Sequence, residues 1–255
     1  MLTRPAPGQT LTFSEMQGIR YLHFGTPWIQ GAMRLRKPHE LVLDYTQDMM
    51  AWLMLFGAPS RILQLGLGAG ACARFLGHFF PRSGQTVIEL KQEVILANSL
   101  MFGTRNTRGL TLIQDDAKAY LRASDANHWP LMLVDLYDAE ALGPSCEGQG
   151  FYRSCYRALQ APGLMVVNLF GSHPSWTPNL KAISDAFKCR PLVLTPGSAG
   201  NVVVIVTKGP PLAWPLQRGS AEMKTYLNRR AAILRSGLKL PAQRWIDPIR
   251  KYLEP

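Results

Sequence analysis

Acidic residues stand at the ends of successive apolar runs in this chain, and they are its first candidates for chemistry. Glu89 closes Thr86-Val-Ile, Asp115 and Asp116 follow Leu110-Thr-Leu-Ile-Gln114, Asp135 closes Leu131-Met-Leu-Val, and Asp138 comes three residues later. Ahead of them lies Arg61-Ile-Leu-Gln-Leu-Gly-Leu-Gly-Ala-Gly70, an apolar run that ends in glycines at 66, 68 and 70. Glycine allows the positive φ angles of a tight turn and lets a ligand approach the backbone. An acid about 20 residues beyond such a turn, at the tip of the next strand, accepts the hydroxyls of a ribose. Gly66, Gly68, Gly70 and Glu89 together therefore point to a nucleoside-containing ligand.

The remaining acids carry two readings each. Asp115 and Asp116 precede a helical pattern over 117–123, so each is either a helix cap or a ligand contact, with Asp115 the stronger capping candidate. Asp135 and Asp138 sit in Asp-Leu-Tyr-Asp-Ala-Glu-Ala-Leu-Gly-Pro144, which reads as a loop. Two carboxylates there either form a solvated acidic loop or bind an ammonium and take its proton, the step that makes an amine nucleophilic. Acids at four places on one rim of a sheet, with Asp115 and Asp116 sharing one of them, suit a ribose, an adenine amino group and a cationic centre.

The elements that must position these groups alternate. Strands are predicted at 61–65, 85–89, 110–113, 131–135, 163–169 and 201–207, with helices at 70–80, 91–102, 115–123, 149–160 and 178–188. This order predicts an α/β, doubly wound, mostly parallel sheet covered on both faces. Pro191-Leu-Val-Leu194 and Asn201–Val206 flank Thr-Pro-Gly-Ser-Ala-Gly, a spacing that predicts an antiparallel C-terminal edge. Residues 11–35 read as short strands with a hairpin between 19–24 and 28–35. Leu41 to Leu55 reads as one strongly apolar helix, and Gly219 to Arg235 as one polar helix. The expected division is 1–38 as an N-terminal β-hairpin region, 39–210 as a Rossmann-like nucleoside-binding domain, and 211–255 as a basic helical tail.

Composition narrows the class. The chain has 255 residues, 47% of them hydrophobic, enough for one large core with an appendage. Its four cysteines show no CxxC or Cys/His spacing, which predicts reduced thiols in a cytoplasmic protein and neither zinc nor a disulfide frame. No charged-then-apolar leader opens the chain and no apolar run approaches ~20 residues, so neither a secretory signal nor a membrane span is expected. The net charge is +11, and from Arg218 onward nine Lys/Arg against three Asp/Glu supply six of it. The tail reads as a solvated helix face; a surface for nucleic acid is the alternative, without the interleaved aromatic residues that would support it.

Several of these segments, taken in order, resemble the spermidine synthase family, the polyamine aminopropyltransferases, whose fold is a variant of class I S-adenosylmethionine-dependent methyltransferases. The resemblance covers residues ~17 to ~207. It is carried by Trp28-Ile-Gln30, the Gly66–Gly70 turn, Val87-Ile-Glu89-Leu90, Gln114-Asp-Asp116-Ala117, Asp135-x-x-Asp138 with Gly143-Pro144, and Phe151-Tyr-Arg153 with Ala158-Leu-Gln-Ala-Pro-Gly163. It implies that Gln30 and Glu89 contact the nucleoside, that Asp116 reads the adenine amino group, that Asp135 deprotonates the attacking amine, and that Asp138 anchors it. Tyr137 would stack on the ligand or cover it, within a 135–144 loop that gates the site. The implied reaction moves an aminopropyl group from decarboxylated S-adenosylmethionine to an amine, with methylthioadenosine leaving and no metal, in a homodimer. Two positions depart from the family pattern. Ala69 stands where an Asp usually holds the aminopropyl ammonium, and Asp44-Tyr45-Thr-Gln-Asp48 replaces a Tyr-His-Glu segment, leaving Tyr45 as a partial match. A methyltransferase using S-adenosylmethionine and a non-catalytic nucleoside-binding protein are the alternatives.

Overall fold

The computed structural model describes residues 11–25, 28–136, 148–195, 200–209 and 221–253. Tyr137, Asp138 and most of the acidic loop lie outside the described residues. Strands β1 (Leu11–Met16), β2 (Ile19–Phe24) and β3 (Gly31–Arg34) form an antiparallel sheet in that order. The predicted hairpin is present as β2 and β3, with β1 added on its other side.

The main sheet contains β4 (Arg61–Leu65), β5 (Gly84–Glu89), β6 (Leu110–Gln114), β7 (Trp129–Val134), β8 (Leu159–Phe170), β9 (Leu192–Val193) and β10 (Asn201–Lys208), in the order β6-β5-β4-β7-β8-β10-β9. The pairs from β6 to β8 are parallel. β10 runs antiparallel to both β8 and β9, which gives the antiparallel edge expected from the 192–206 spacing. The intervening helices are α2 (Ala71–Phe79), α3 (Gln92–Met101), α4 (Ala117–Ala123), α5 (Gln149–Ala158) and α6 (Trp176–Phe187).

Side chains that alternate along a strand face opposite sides of the sheet. Ile62, Leu131, Leu133, Leu164, Val166, Val203 and Ile205 enter one apolar cluster. Leu63, Leu65, Met132, Val134, Met165, Val167, Val204 and Val206 enter the other, against α4, α5 and α6. Both faces are covered, which is why these strands read as continuous apolar runs.

Two sequence expectations change. The apolar stretch 41–55 is not one helix: α1 covers only Asp44–Asp48, and a 3₁₀ turn covers Ala51–Met54. Met49 to Phe56 are all buried, so the segment gains by enclosure on every side and needs no amphipathic period. Arg230 Nε also donates to the Leu53 carbonyl at 2.8 Å, tying the segment's backbone from outside.

The tail is not a solvated face. Helix α7 (Ala221–Leu238) buries Met223, Leu227, Ala231 and Leu234, one stripe at helical spacing, and Trp245, Ile246, Ile249 and Leu253 follow from a 3₁₀ turn and α8 (Ile246–Leu253). These residues share the cluster with Met49, Trp52, Phe75 and Leu131. The basic residues of α7 cover its outer face and hide this stripe from a reading of charge alone. Among the described residues no helix is long and apolar enough to cross a membrane.

Candidate active site

The strand order reverses between β4 and β7, and in open parallel sheets ligands occupy the crevice beyond the carboxyl ends at such a point. Gly66 and Asp135 leave those two ends side by side. The Asp135 amide donates to the Leu65 carbonyl at 2.9 Å, and the Gly66 amide to Ile88 at 2.9 Å. A Cβ on Gly66 would lie 2.1 Å from the Asp135 carbonyl oxygen, so only glycine permits this approach, and its φ of +94° also favours glycine. Gly68 and Gly70 complete the turn with φ of +51° and +66°. The turn's carbonyls are held from behind: Asn98 Nδ2 donates to Gly68 at 2.6 Å, and Arg74 donates to Ala69. Arg74 also donates to Pro38 at 2.8 Å, and its burial pushes the guanidinium pKa down to about 10.

A cavity enclosing about 400 Å³, part of it open solvent, lies over this turn. Of the residues singled out in the sequence, Tyr45, Gly66, Gly68, Ala69 and Asp135 line it, together with Gly31, Thr46, Met49, Ala71, Cys72 and Leu133. Gln30, Gly70, Glu89, Asp115 and Asp116 are outside that lining. Gln30 is next to it, since its carbonyl is 3.4 Å from where a Gly68 Cβ would sit. Gly70 instead backs onto Asn98 and Thr104, each 2.6 Å from its would-be Cβ.

Glu89 is joined to the turn. Its Oε2 accepts from the Leu67 amide at 3.0 Å and its Oε1 from the Lys91 amide at 3.0 Å. Burial pushes this carboxyl above its usual range, and the backbone donors pull it back. On the neighbouring strand, Asp116 caps α4 by accepting from Ala119 at 2.8 Å, and Asp115 accepts from the Asp116 amide at 2.7 Å. The helix cap is thus Asp116, whereas position in the sequence favoured Asp115. The Asp115 amide reaches the Glu89 carbonyl at 3.1 Å, so these acids do share one rim.

Among the described residues, Asp135 is the carboxylate that lines the cavity. Burial raises its pKa, against hydrogen bonds from Asn168 Nδ2, at 2.9 Å, and from Tyr45. A carboxylate whose basicity is raised by desolvation, at the mouth of a cavity, is suited to accept a proton. Cys72, close enough to feel that charge, has its thiol pushed up, chiefly by burial, and stays protonated. Sequence reasoning did not single out Asn168, Cys72 or Thr46. Asn168 carried a signal, as the one amide inside the buried run Met165-Val-Val-Asn-Leu-Phe170.

Ala69 lines the cavity as well, but it is almost wholly enclosed. It is 3% exposed and belongs to an apolar cluster with Leu22, Met33 and Phe102. A Cβ on Gly31 would meet the Ala69 Cβ at 2.5 Å, so β3 closes directly over this position.

No family model matches the chain. Curated relatives do. A polyamine aminopropyltransferase from Neisseria meningitidis serogroup A is 32% identical over 200 residues, covering 78% of this chain and 76% of the relative. The chain belongs to the polyamine aminopropyltransferase family. Among solved structures, a probable spermidine synthase from Corynebacterium glutamicum superposes with a TM-score of 0.71 at 18% identity, over 98% of this chain and 95% of that one. Human methyltransferase-like protein 13, in complex with SAH, superposes with a TM-score of 0.64 at 18% identity, over 78% of this chain and 94% of that one. The chain therefore has the methyltransferase-like fold that its strand order indicates.

Proposed function

We propose that the protein transfers an aminopropyl group from decarboxylated S-adenosylmethionine to an amine and releases methylthioadenosine. The observation that carries this reading is Asp135: a half-buried carboxylate at the switch point, against Gly66, with Tyr45 and Asn168 as donors. In the reaction, the Asp135 carboxylate takes a proton from the acceptor's ammonium. The freed nitrogen lone pair attacks the carbon beside the sulfonium, the C–S bond breaks, and its electrons return to sulfur. The leaving group is neutral and needs no further activation.

Family membership and the rim of acids support assigning the adenosine to Gln30, the Gly66–Gly70 turn, Glu89, Asp115 and Asp116. In this reading Asp116 keeps its capping bond to Ala119 while its carboxylate meets the adenine amino group. Tyr45 orients Asp135 and borders the acceptor, with Tyr137 and Asp138 contributing from the acidic loop.

A second reading, methyl transfer from S-adenosylmethionine, is favoured by one observation: Ala69 offers no counter-charge for an aminopropyl ammonium and faces apolar side chains. Thermal unfolding of the protein with methylthioadenosine, decarboxylated adenosylmethionine and adenosylmethionine tests both. A ligand at 100 times its Kd stabilises by about 2.7 kcal/mol, and the decarboxylated donor should give the larger shift. No response to any of the three removes both readings, and a preference for the carboxylated donor selects methyl transfer.

A further inference from the structure

Asn168 is 2% exposed in β8, in the middle of the sheet. Its Nδ2 donates to Asp135 Oδ1 at 2.9 Å, and its Oδ1 accepts from Asn201 Nδ2 at 3.2 Å. Asn201 opens β10, the next strand, opposite Phe170 in register. The polarity of this chain follows from one fact. An ionised carboxylate only accepts hydrogen bonds, so Asn168 must turn its NH₂ toward Asp135. Its carbonyl is then left pointing toward β10, where an unpaired buried acceptor would be costly. Asn201 supplies the donor that makes this orientation complete.

We infer that Asn201 and Asn168 are positioning residues that form a one-way relay, fixing the aim and the proton affinity of Asp135. The inference rests on the reading of Asp135 as the base. Asn168 pins one carboxylate oxygen and stabilises the ionised form that receives the proton. Asn201 acts at one remove by preventing the Asn168 amide from turning its oxygen toward Asp135. Without that restraint, a flipped amide would set a carbonyl against a carboxylate, two acceptors with no proton between them unless Asp135 takes one up. Among the described residues, the titratable groups that face Asp135 are Tyr45 from α1 and Cys72 from α2. Neither belongs to the relay, so both stay constant when it is altered.

The test reads the carboxyl titration without turnover. In the full chain labelled with ¹³C-carboxyl aspartate, the Asp135 resonance is assigned by its loss in Asp135→Asn. Asn168→Leu should raise its midpoint by about one pH unit, a tenfold change in proton affinity. Asn201→Leu should raise it by about half a unit, and Asn201→Ser, which keeps a donor, should stay within about 0.2 units of the wild type. Folding of each variant is checked by its methylthioadenosine-induced thermal shift. An unchanged midpoint in folded Asn201→Leu overturns the relay, as does an equal rise in Asn201→Ser. Retained turnover in Asp135→Asn would instead remove the role of Asp135 as base, an outcome independent of these midpoints.

Discussion

Asp48 couples the C-terminal segment to the site, and its substitution separates two accounts of how. Asp48 is 4% exposed at the end of α1, the helix that carries Tyr45. Its Oδ1 accepts from Trp245 Nε1 at 2.5 Å and from Arg244 Nε at 2.9 Å, with Arg244 Nη2 at 2.8 Å. The two partners differ in burial. Trp245 is 1% exposed, whereas 38% of the Arg244 side chain meets solvent. In Asp48→Ala the indole N–H is left unpaired in the core, at about 1–3 kcal/mol, while Arg244 regains water and loses about 0–1 kcal/mol. Burial holds the Asp48 carboxyl above its usual range, so removing the charge also returns some stability. The net expectation is a loss of about 2 kcal/mol, or roughly 4–8 °C in Tm for a domain of this size.

Asp48→Asn keeps an oxygen for the indole and gives up only the attraction to the exposed guanidinium. Its expected cost is under about 1 kcal/mol, or roughly 2–4 °C at most. Thermal unfolding of the two variants is the assay. Equal losses in Asp48→Asn and Asp48→Ala would refute the reasoning, because the exposed ion pair would then be the tether instead of the buried indole bond. Turnover adds a second readout. Tyr45 lies three residues before Asp48, so Asp48→Ala should lower turnover while methylthioadenosine binding at the turn persists.

Asp135→Asn should abolish turnover yet be at least as stable as the wild type at neutral pH. The folded carboxyl is raised above its unfolded value, so its favourable contribution is complete below the unfolded pKa of about 4 and is lost as pH rises through the folded value; the advantage of Asn, read as a Tm difference, should therefore shrink on acidification. Gly66→Ala should eliminate the methylthioadenosine thermal shift, because its Cβ would fall 2.1 Å from the Asp135 carbonyl, whereas Gly57→Ala, with nothing within 4 Å of its Cβ, should retain that shift. Ala69→Asp should lower Tm without raising turnover on the decarboxylated donor, since it places a carboxylate among Leu22, Met33 and Phe102 at a cost of about 3 kcal/mol or more. A folded Ala69→Asp variant with enhanced aminopropyl transfer would show that position 69 does open to the donor.

The parallel core was legible because a strand buried on both faces leaves an uninterrupted apolar run; the expected ends at 65 and 89 match the structure, and those at 113 and 135 fall one residue from Gln114 and Val134. The turn was legible because three glycines two residues apart have few other uses. What escaped were segments whose character comes from distant partners. Met49 to Phe56 looked helical because it is apolar, but it is enclosed between the sheet and α7, where hydrophobicity carries no period. Helix α7 looked solvated because its charges are numerous, while four small and apolar residues at 223, 227, 231 and 234 held it down. Asn168 and Asn201 are 33 residues apart, and only the pairing of β8 with β10 brings the two amides together.

The charge on the rim around the cavity follows from where its acids are anchored. Glu89 is bonded to the Leu67 and Lys91 amides, and Asp116 to Ala119, so both carboxylates are oriented by backbone that does not move with the acceptor. Asp135 is bonded to side chains instead, Asn168 and Tyr45, which come from β8 and α1. The outer acids are therefore suited to hold a neutral, hydroxyl-rich nucleoside whose demands are constant through a reaction. Asp135 is suited to a charge that changes, because its donors can be tuned without disturbing the turn. Ala69, packed against Gly31, brings no charge to the cavity it lines. In the proposed reading, the described residues discriminate between donors by shape against Ala71, Cys72 and Leu133 and through Asp135. Variants of Asn168 or Tyr45 should accordingly alter turnover more than methylthioadenosine affinity, and variants of Glu89 the reverse.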